Sequence, residues 1–210
     1  QRGCRSGDIV MKSICSYLIS RWIWFSVLIL FLLALFYILL GQVLMITTAN
    51  VKGLCGDDRK AGAERPVGLF AHKTIEFHTQ NPCFDSGVHL EAGERYKISV
   101  EAVGVWKDAS IPADPAGFKN WTDNLRFVML AALPLRRHLT DGWFVVMGKI
   151  GQHGDAFPIR HGRRLKASAS GPLYLYVNDA IPPFCSSDCS SFYTMNNEGR
   201  ARVTVEKLSL

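Results

Sequence analysis

Between Arg21 and Lys52 the sequence contains no charged side chain, and the run from Trp22 to Leu40 is almost wholly apolar. Extended by a few further residues, this stretch is long enough for one tilted helix across about 30 Å of hydrocarbon. A secretory signal peptide has a shorter apolar region before its cleavage site, and a helix of a soluble core carries polar residues on one face. The sequence therefore predicts a membrane-spanning helix over residues 22–47.

Positive charge is concentrated on the N-terminal side of this stretch, where Asp8 accompanies four basic residues: Arg2, Arg5, Lys12 and Arg21. The cytoplasmic flanks of membrane helices carry the excess of Lys and Arg. We therefore expect residues 1–21 to form a basic cytoplasmic tail and the C-terminal part to be exported across a bacterial inner membrane. If translation starts at Met11, the remaining basic residues still predict this orientation.

Two groups of residues indicate what surrounds the predicted span. Trp22 and Trp24 suit the aromatic belt at the boundary between acyl chains and headgroups. Ser26, Ala34 and Gly41 are small residues that recur on roughly one face of a helix. Because small residues let two helices approach closely in a bilayer, this face predicts packing against another integral membrane protein.

Four cysteines follow the span, and their spacing favours one pairing among the three that are possible. Cys185 and Cys189 would close a short local loop, which leaves Cys55 to pair with Cys83. Exported domains commonly carry such disulfides. A zinc site is the alternative interpretation, but the spacing of these cysteines lacks a regular ligand pattern.

Strand patterns dominate the exported part of the chain. Tyr96, Ile98 and Val100 alternate with polar residues, and the same period returns over residues 201–206. Other β-branched and aromatic runs are bounded by Gly, Pro and Asn turn signals. We predict a mainly β protein, with a jelly-roll β-sandwich following the single N-terminal transmembrane helix.

The same pattern gives the expected domain boundaries. Residues 48–72 are rich in Gly and charge and are predicted to form a linker, and residues 73–210 the exported sandwich. Residues 107–124 are expected to form a long surface loop. Long loops at the end of a sandwich are common places for binding sites.

Three segments in this part of the chain carry a resemblance to a known family. They are FVVMGKIG at residues 144–151, LYLYVND at 173–179 and NNEG at 196–199, the last followed by a strand. In this order they resemble the PA-I-like lectins, bacterial calcium-dependent galactose-binding proteins with a galactose-binding-like jelly-roll fold. The likeness runs from Trp143 to Leu208 and implies the same type of sandwich.

The resemblance also implies a calcium ion held by Asp179, Asn196 and Asn197 together with nearby backbone carbonyls, which are ligands that calcium prefers. Asn196 follows Asp179 by 17 residues, a wider spacing than in the family, and the insertion contains Cys185 and Cys189. The sugar-contacting His and Gln of the family have no counterpart here. The alternative is that these Asn and Asp side chains only stabilise turns.

Composition and motifs exclude several function classes. From Lys52 onward the chain has 20 Lys and Arg against 17 Asp and Glu, and this net charge of +3 is too mild to indicate a nucleic-acid partner. No nucleophile elbow, metalloprotease helix, P-loop or dinucleotide fingerprint is present, so the sequence predicts no enzyme. Basic runs at residues 136–138 and 160–166 are typical of solvated surface, with lipid headgroups or an acidic partner as the alternative.

Two functional hypotheses follow. The first is an accessory or scaffolding subunit, whose helix packs among the integral subunits of a bacterial membrane complex while its sandwich covers their exported faces. The second is a membrane-tethered, calcium-dependent carbohydrate-binding protein. Both place the chain in a lipid bilayer, and only the second requires a glycan.

Overall fold

A computed structural model of the chain describes residues 7–52, 54–55, 72–120, 123–151, 154–183, 185 and 189–209. The chain divides into two compact units, with the boundary between Gly41 and Gln42. The described part of the first unit is helical, and every described strand lies in the second.

Helix α1 (Gly7–Lys52) is a single helix of 46 residues. Its stretch Arg21–Ala49, 29 residues, is long and apolar enough to cross a membrane by length and composition. The large hydrophobic side chains from Trp22 to Leu40 are exposed along this stretch. The helix continues to Lys52, into the range predicted as a linker, and most of that range lies outside the described residues.

Ten strands follow, all of whose ladders are antiparallel: β1 (His72–His78), β2 (Phe84–Leu90), β3 (Arg95–Asp108), β4 (Ile111–Asp114), β5 (Gly117–Phe118), β6 (Val146–Ile150), β7 (Ala156–Pro158), β8 (Gly162–Lys166), β9 (Gly171–Val177) and β10 (Asn197–Leu208). One sheet has the order β1-β10-β3-β4-β5, with β8 also paired to β3. The other has the order β2-β9-β6-β7. The prediction of a mainly β sandwich is confirmed.

The core lies between the two sheets, as the alternation in the sequence predicts. Tyr96, Ile98 and Val100 of β3 are buried, and their polar neighbours are more exposed. On β9 every residue is buried, because both faces of that strand are covered. Aromatic rings fill the end of the core near Asp108, where Trp106 meets Phe144 edge-on with a centroid distance of 6.3 Å.

Two short helices lie in the connections of the sandwich. Helix α2 (Asp123–Ala132) runs directly into a 3-10 turn (Leu133–Leu135), and helix α3 (Ser190–Asn196) precedes β10. The prediction of a long loop at residues 107–124 is wrong, because this segment contains the end of β3, both short strands β4 and β5, and the start of α2. Its Pro and Asp residues form tight hairpin turns instead of an extended loop.

The last turns of α1 belong to the second unit and are packed into it. The Gln42 side-chain amide donates to the backbone carbonyls of Pro134 at 2.8 Å and Arg136 at 3.0 Å. One turn later, buried Met45 packs with Ile181 and Cys189. The C-terminal end of α1 is thus part of the folded domain.

Candidate functional site

Polar side chains from three separate segments meet at one end of the sandwich. Asp179 follows β9, Asn196 and Asn197 join α3 to β10, and Asp108 ends β3. The ladder between β3 and β10 places Asn197 directly opposite Asp108. Three of these residues were predicted from the sequence and are brought together, whereas Asp108 was not among the predicted ligands.

Each of the two carboxylates accepts a hydrogen bond from one of the two asparagine amides. Asn197 Nδ2 donates to Asp179 Oδ2 at 3.0 Å and to the Thr79 carbonyl at 3.3 Å. Asn196 Nδ2 donates to Asp108 Oδ1 at 2.9 Å. We refer to Asp108, Asp179, Asn196 and Asn197 as the acid–amide cluster.

The amide oxygens of the cluster are left without donors. Oδ1 of Asn196 and Oδ1 of Asn197 are both buried, and neither accepts a hydrogen bond from any described residue. Buried polar atoms nearly always have a partner, and an orphaned one costs about 1–3 kcal/mol. Since the oxygen and nitrogen of an amide exchange by a simple rotation, these oxygens are able to turn toward a cation beside the carboxylates.

The surroundings of the cluster disfavour the ionised forms of its two carboxyl groups, Asp108 and Asp179. Burial, followed by the nearby charge of Asp179, raises the pKa of Asp108 to about 7. Burial likewise raises the pKa of Asp179 to about 6, against hydrogen bonds from Ala180 and Asn197 and the positive charge of Arg137. A bound cation would remove this repulsion, because it favours the charged form of both acids.

The donor set fits calcium. Calcium takes six to eight oxygen ligands from carboxylates, amides and carbonyls, and the cluster supplies two carboxylates and two amide oxygens. The Thr79 carbonyl already contacts Asn197. Among the described residues, no three His, Cys, Asp or Glu side chains are grouped so as to hold a metal, so amide and carbonyl oxygens would have to complete the coordination.

The cluster is closed to a large ligand. Asp179 and Asn197 are each 2% exposed, and Asp108 is 5% exposed. Tyr193 of α3, in the insertion that sets this chain apart from the lectin pattern, is fully buried beside it. Direct contact between a sugar and an ion in the cluster would therefore require this insertion to move.

The neighbouring Asn178 has a structural role. Its Nδ2 lies 2.9–3.2 Å from the carbonyls of His138, Asp141 and Gly142, and its Oδ1 accepts from the His138 amide at 2.9 Å. This fully buried side chain holds residues 138–142 against the end of β9. Turn chemistry, the alternative given for all these Asn and Asp residues, describes Asn178 well.

The four cysteines that follow α1 form two disulfides. Cys55 is bonded to Cys83, and Cys185 to Cys189, which is the pairing that the sequence favours. Cysteines joined in this way are not available to hold zinc, so the zinc interpretation is not supported. The first disulfide ties the residues just beyond α1 to the start of β2.

The basic run at residues 136–138 is not solvated surface. Arg136 is buried, lies over the Trp143 ring at 5.2 Å and donates to the Leu139 carbonyl. The Arg137 guanidinium stacks on Tyr176, 3.7 Å from its ring centroid. The prediction is wrong here because the aromatic faces of the sandwich cover these guanidinium groups.

A cavity of about 520 Å³ lies beside the end of α1, with Met45, Ala49, Arg137, His138 and Tyr176 among its lining residues. His138 Nε2 lies 2.8 Å from the Tyr176 hydroxyl. Burial, followed by the charge of Arg137, lowers the pKa of His138 to about 4, so its imidazole is neutral. The polar wall of this cavity is therefore occupied by contacts within the domain.

The residues proposed to face the membrane lie in the first unit. Trp22 and Trp24 are exposed on α1, as are Ser26 and Ala34, while Gly41 is buried. Their roles at the lipid interface and in helix packing stay predictions. Trp106 and Tyr193, two aromatic residues of a kind that can stack on a sugar, are buried core residues.

No family model and no curated protein matches the chain. Among solved structures, it is similar to the N-terminal domain of EclA, described as a PllA-like lectin. The two chains share 18% identity with a TM-score of 0.44, over 64% of this chain and 95% of that chain. At this identity and score the likeness says nothing about what this chain binds.

Proposed function

We propose that the chain is a non-enzymatic, single-span accessory subunit of a bacterial membrane protein complex. In this proposal α1 crosses the inner membrane with its N-terminus in the cytoplasm, and the sandwich is exported. The observation that carries the proposal is the packing of the end of α1 into the sandwich, through the two hydrogen bonds of Gln42 and the burial of Met45.

Membrane anchorage and export are supported by independent features. The uncharged stretch Arg21–Ala49 has the length and hydropathy of a span, and its side chains from Trp22 to Leu40 are exposed as they would be in lipid. Two disulfides suit an oxidising compartment outside the cytoplasm. The basic residues before the span favour the same orientation.

Fixed coupling between helix and sandwich favours a scaffold over a tethered receptor. A domain that searches for glycans gains reach from a flexible linker. Here the Cys55–Cys83 bond and the contacts of Gln42 fix the domain to the helix terminus instead.

We further propose that the acid–amide cluster binds calcium as a structural ion. The support is the combination of two carboxylates with raised pKa values and two buried amide oxygens without donors. The ion would join the ends of β3 and β9 to the start of β10. Because the cluster is closed, its expected effect is on stability.

The accessory role is tested by co-purification from native membranes. In Ala34→Phe a bulky ring replaces a small residue on the proposed packing face, whereas the matched control Leu32→Phe places it on the opposite face of α1. We expect integral membrane proteins to co-purify with the native chain and with Leu32→Phe, and to be lost in Ala34→Phe. A native chain that purifies alone, or partners unaffected by both changes, would contradict the proposal.

The carbohydrate-binding alternative is favoured by the acid–amide cluster alone, since calcium mediates sugar binding in the PA-I-like lectins that the sequence resembles. It predicts glycan binding that chelator abolishes and that Asp179→Asn removes. A glycan array probed with the detergent-solubilised chain, with and without chelator, distinguishes it from a purely structural ion, for which no glycan would bind under either condition.

A further inference from the structure

Helix α2 is apolar on both of its faces. Leu125, Met129 and Ala132 pack against Trp143 and its neighbours in a small core of their own. On the other side Phe127 is 77% exposed, Val128 is 59% exposed and Leu130 is 64% exposed. Large apolar side chains that are exposed together on one helix are normally covered by protein or by lipid.

These three side chains form the one cluster of exposed large hydrophobic residues among the described strands and helices beyond α1. The others, Val103, Val105, Leu139 and Met195, lie at scattered positions along the sequence. Scattered exposed apolar residues are ordinary, whereas a contiguous patch marks a surface that contacts something.

The end of α2 is bonded to the end of α1. The 3-10 turn Leu133–Leu135 follows α2 directly, and Gln42 donates to the carbonyls of Pro134 and Arg136 at its end. The backbone amide of Ile181 also donates to Leu135 at 3.0 Å, which holds this turn to the sandwich. The exposed patch therefore belongs to the element that Gln42 holds.

Helix length sets the depth of Gln42 in the proposed membrane orientation. A helix rises about 1.5 Å per residue, so about 20 residues cross 30 Å of hydrocarbon. Counted from Trp22, that distance ends near Gly41. This is earlier than the predicted end at residue 47, because Gln42 and Met45 already pack into the sandwich. Gln42 then lies at the outer boundary between acyl chains and headgroups, and so do the carbonyls that it binds.

We propose that α2 lies in the outer membrane interface, with Phe127, Val128 and Leu130 inserted at the acyl boundary. The occupant of this patch is the lipid bilayer itself, continuous with the lipid around the proposed span. Exposed Arg126, beside the patch, suits the phosphates of the headgroups. The inference rests on the membrane anchorage proposed above and adds a second contact with the bilayer.

The test uses the full chain with a nitrobenzoxadiazole dye on one introduced cysteine, after Cys4 and Cys15 are replaced by Ser. The dye is placed at Phe127→Cys, at Leu33→Cys within the span, or at Arg164→Cys. Arg164 is the control position. It is exposed on β8 and pairs with Lys97, near the end of β3 that is opposite to Asp108. Each protein is reconstituted in phosphatidylethanolamine–phosphatidylglycerol vesicles that contain doxyl-labelled acyl chains.

We expect the dye at residue 127 to be quenched several-fold more strongly than at residue 164, with a blue-shifted emission, and the dye at residue 33 to be quenched strongly. Equal, weak quenching at 127 and 164 with strong quenching at 33 would overturn the inference and leave the anchorage intact. Weak quenching at 33 would overturn both. Cross-linking of residue 127 to a protein in native membranes, without quenching in pure lipid, would assign the patch to a protein partner and overturn the inference.

Discussion

Asn197 donates its side-chain amide to the Asp179 carboxylate over 3.0 Å, although 18 residues separate the two along the chain. The bond joins the end of one sheet's β9 to the start of the other sheet's β10. The amide oxygen of Asn197 has no donor among the described residues. This pair therefore links the two sheets and also provides two of the four side chains of the proposed cation site.

Calcium is expected to stabilise the fold. A ligand that binds only the folded state at a hundred times its Kd adds about 2.7 kcal/mol to the free energy of unfolding. We expect the melting temperature of the native chain to rise with calcium and not with magnesium, which demands a stricter geometry. In Asp179→Asn this rise should be lost, while in Glu101→Gln, an exposed carboxylate paired with Arg202, it should persist. An equal calcium response in both variants would exclude the cluster as the site.

The stability of the calcium-free protein should depend on the protonation of Asp108. Its pKa is about 7 in the folded state, against about 4 for an ordinary carboxyl group. The folded state therefore keeps a proton that the unfolded chain releases between these pH values, so stability is lost as pH rises from about 4 to about 7. Asp179, with a pKa of about 6, adds to the same trend.

Comparison with Asp108→Asn isolates this effect, because His138 acts in the opposite direction. His138 is neutral in the folded state, so protonation of the unfolded chain lowers stability below about pH 6.5. In chelator, the variant should become more stable relative to the native chain as pH rises to about 7. In calcium it should become less stable than the native chain. A stability difference that does not change with pH would contradict the raised pKa.

Asn178→Asp should destabilise the sandwich by at least about 3 kcal/mol. The change removes the two amide hydrogens that the carbonyls of His138, Asp141 and Gly142 share, and each buried carbonyl left without a donor costs about 1–3 kcal/mol. It also brings a buried carboxylate toward these carbonyl oxygens. Asn81→Asp is the matched control, because Asn81 is exposed and only accepts a bond from the Cys83 amide, as Asp can. Thermal and denaturant unfolding measure both changes. Similar effects would mean that the Asn178 contacts carry little energy.

Gln42→Ala should loosen the attachment of the sandwich to α1. Two hydrogen bonds to backbone carbonyls are lost, at a cost of about 1–3 kcal/mol. We expect a lower melting temperature and faster proteolysis of the 3-10 turn Leu133–Leu135 in detergent. Val43→Ala, at an exposed neighbouring position, should leave both unchanged. If the two variants behave alike, the helix end is not held by this side chain.

Loss of the Cys55–Cys83 disulfide should cost more than loss of Cys185–Cys189. Chain entropy predicts a contribution of about 3–4 kcal/mol for a loop of 28 residues and less for a loop of 4. Each pair is replaced by Ser, and unfolding in denaturant is compared with that of the native chain. A larger loss for the shorter loop would show that local packing around Cys189 outweighs chain entropy.

Much of the sandwich could be predicted because its pattern is local. The alternation at Tyr96, Ile98 and Val100 is a period that any half-buried strand requires. Helix α2 was missed because it has only 10 residues, and periodicity alone does not distinguish a short apolar run in a helix from one in a strand. The burial of Arg136 was also missed, since it depends on Trp143 arriving from another segment.

The cluster could be predicted in part for a similar reason. Asp179, Asn196 and Asn197 lie in recognisable motifs, whereas Asp108 lies in none. One signal was present in the sequence: Asp108 lies two residues after Trp106 on β3, so both side chains lie on the inward face of that strand. An acid on the inward face of a strand is costly without a partner. The register that brings it opposite Asn197 is a long-range property that no local pattern contains.

Strand β10 lies between β1 and β3 in the middle of its sheet, yet it follows every other strand along the chain. During biosynthesis the edges of β1 and β3 that pair with β10 therefore stay unpaired until β10 has been synthesised. The sheet β2-β9-β6-β7 can form before β10 is made, whereas β1 has no partner among the described strands until then. A chain that stops short of β10 therefore lacks the strand that joins β1 to β3, together with Asn197 of the cluster.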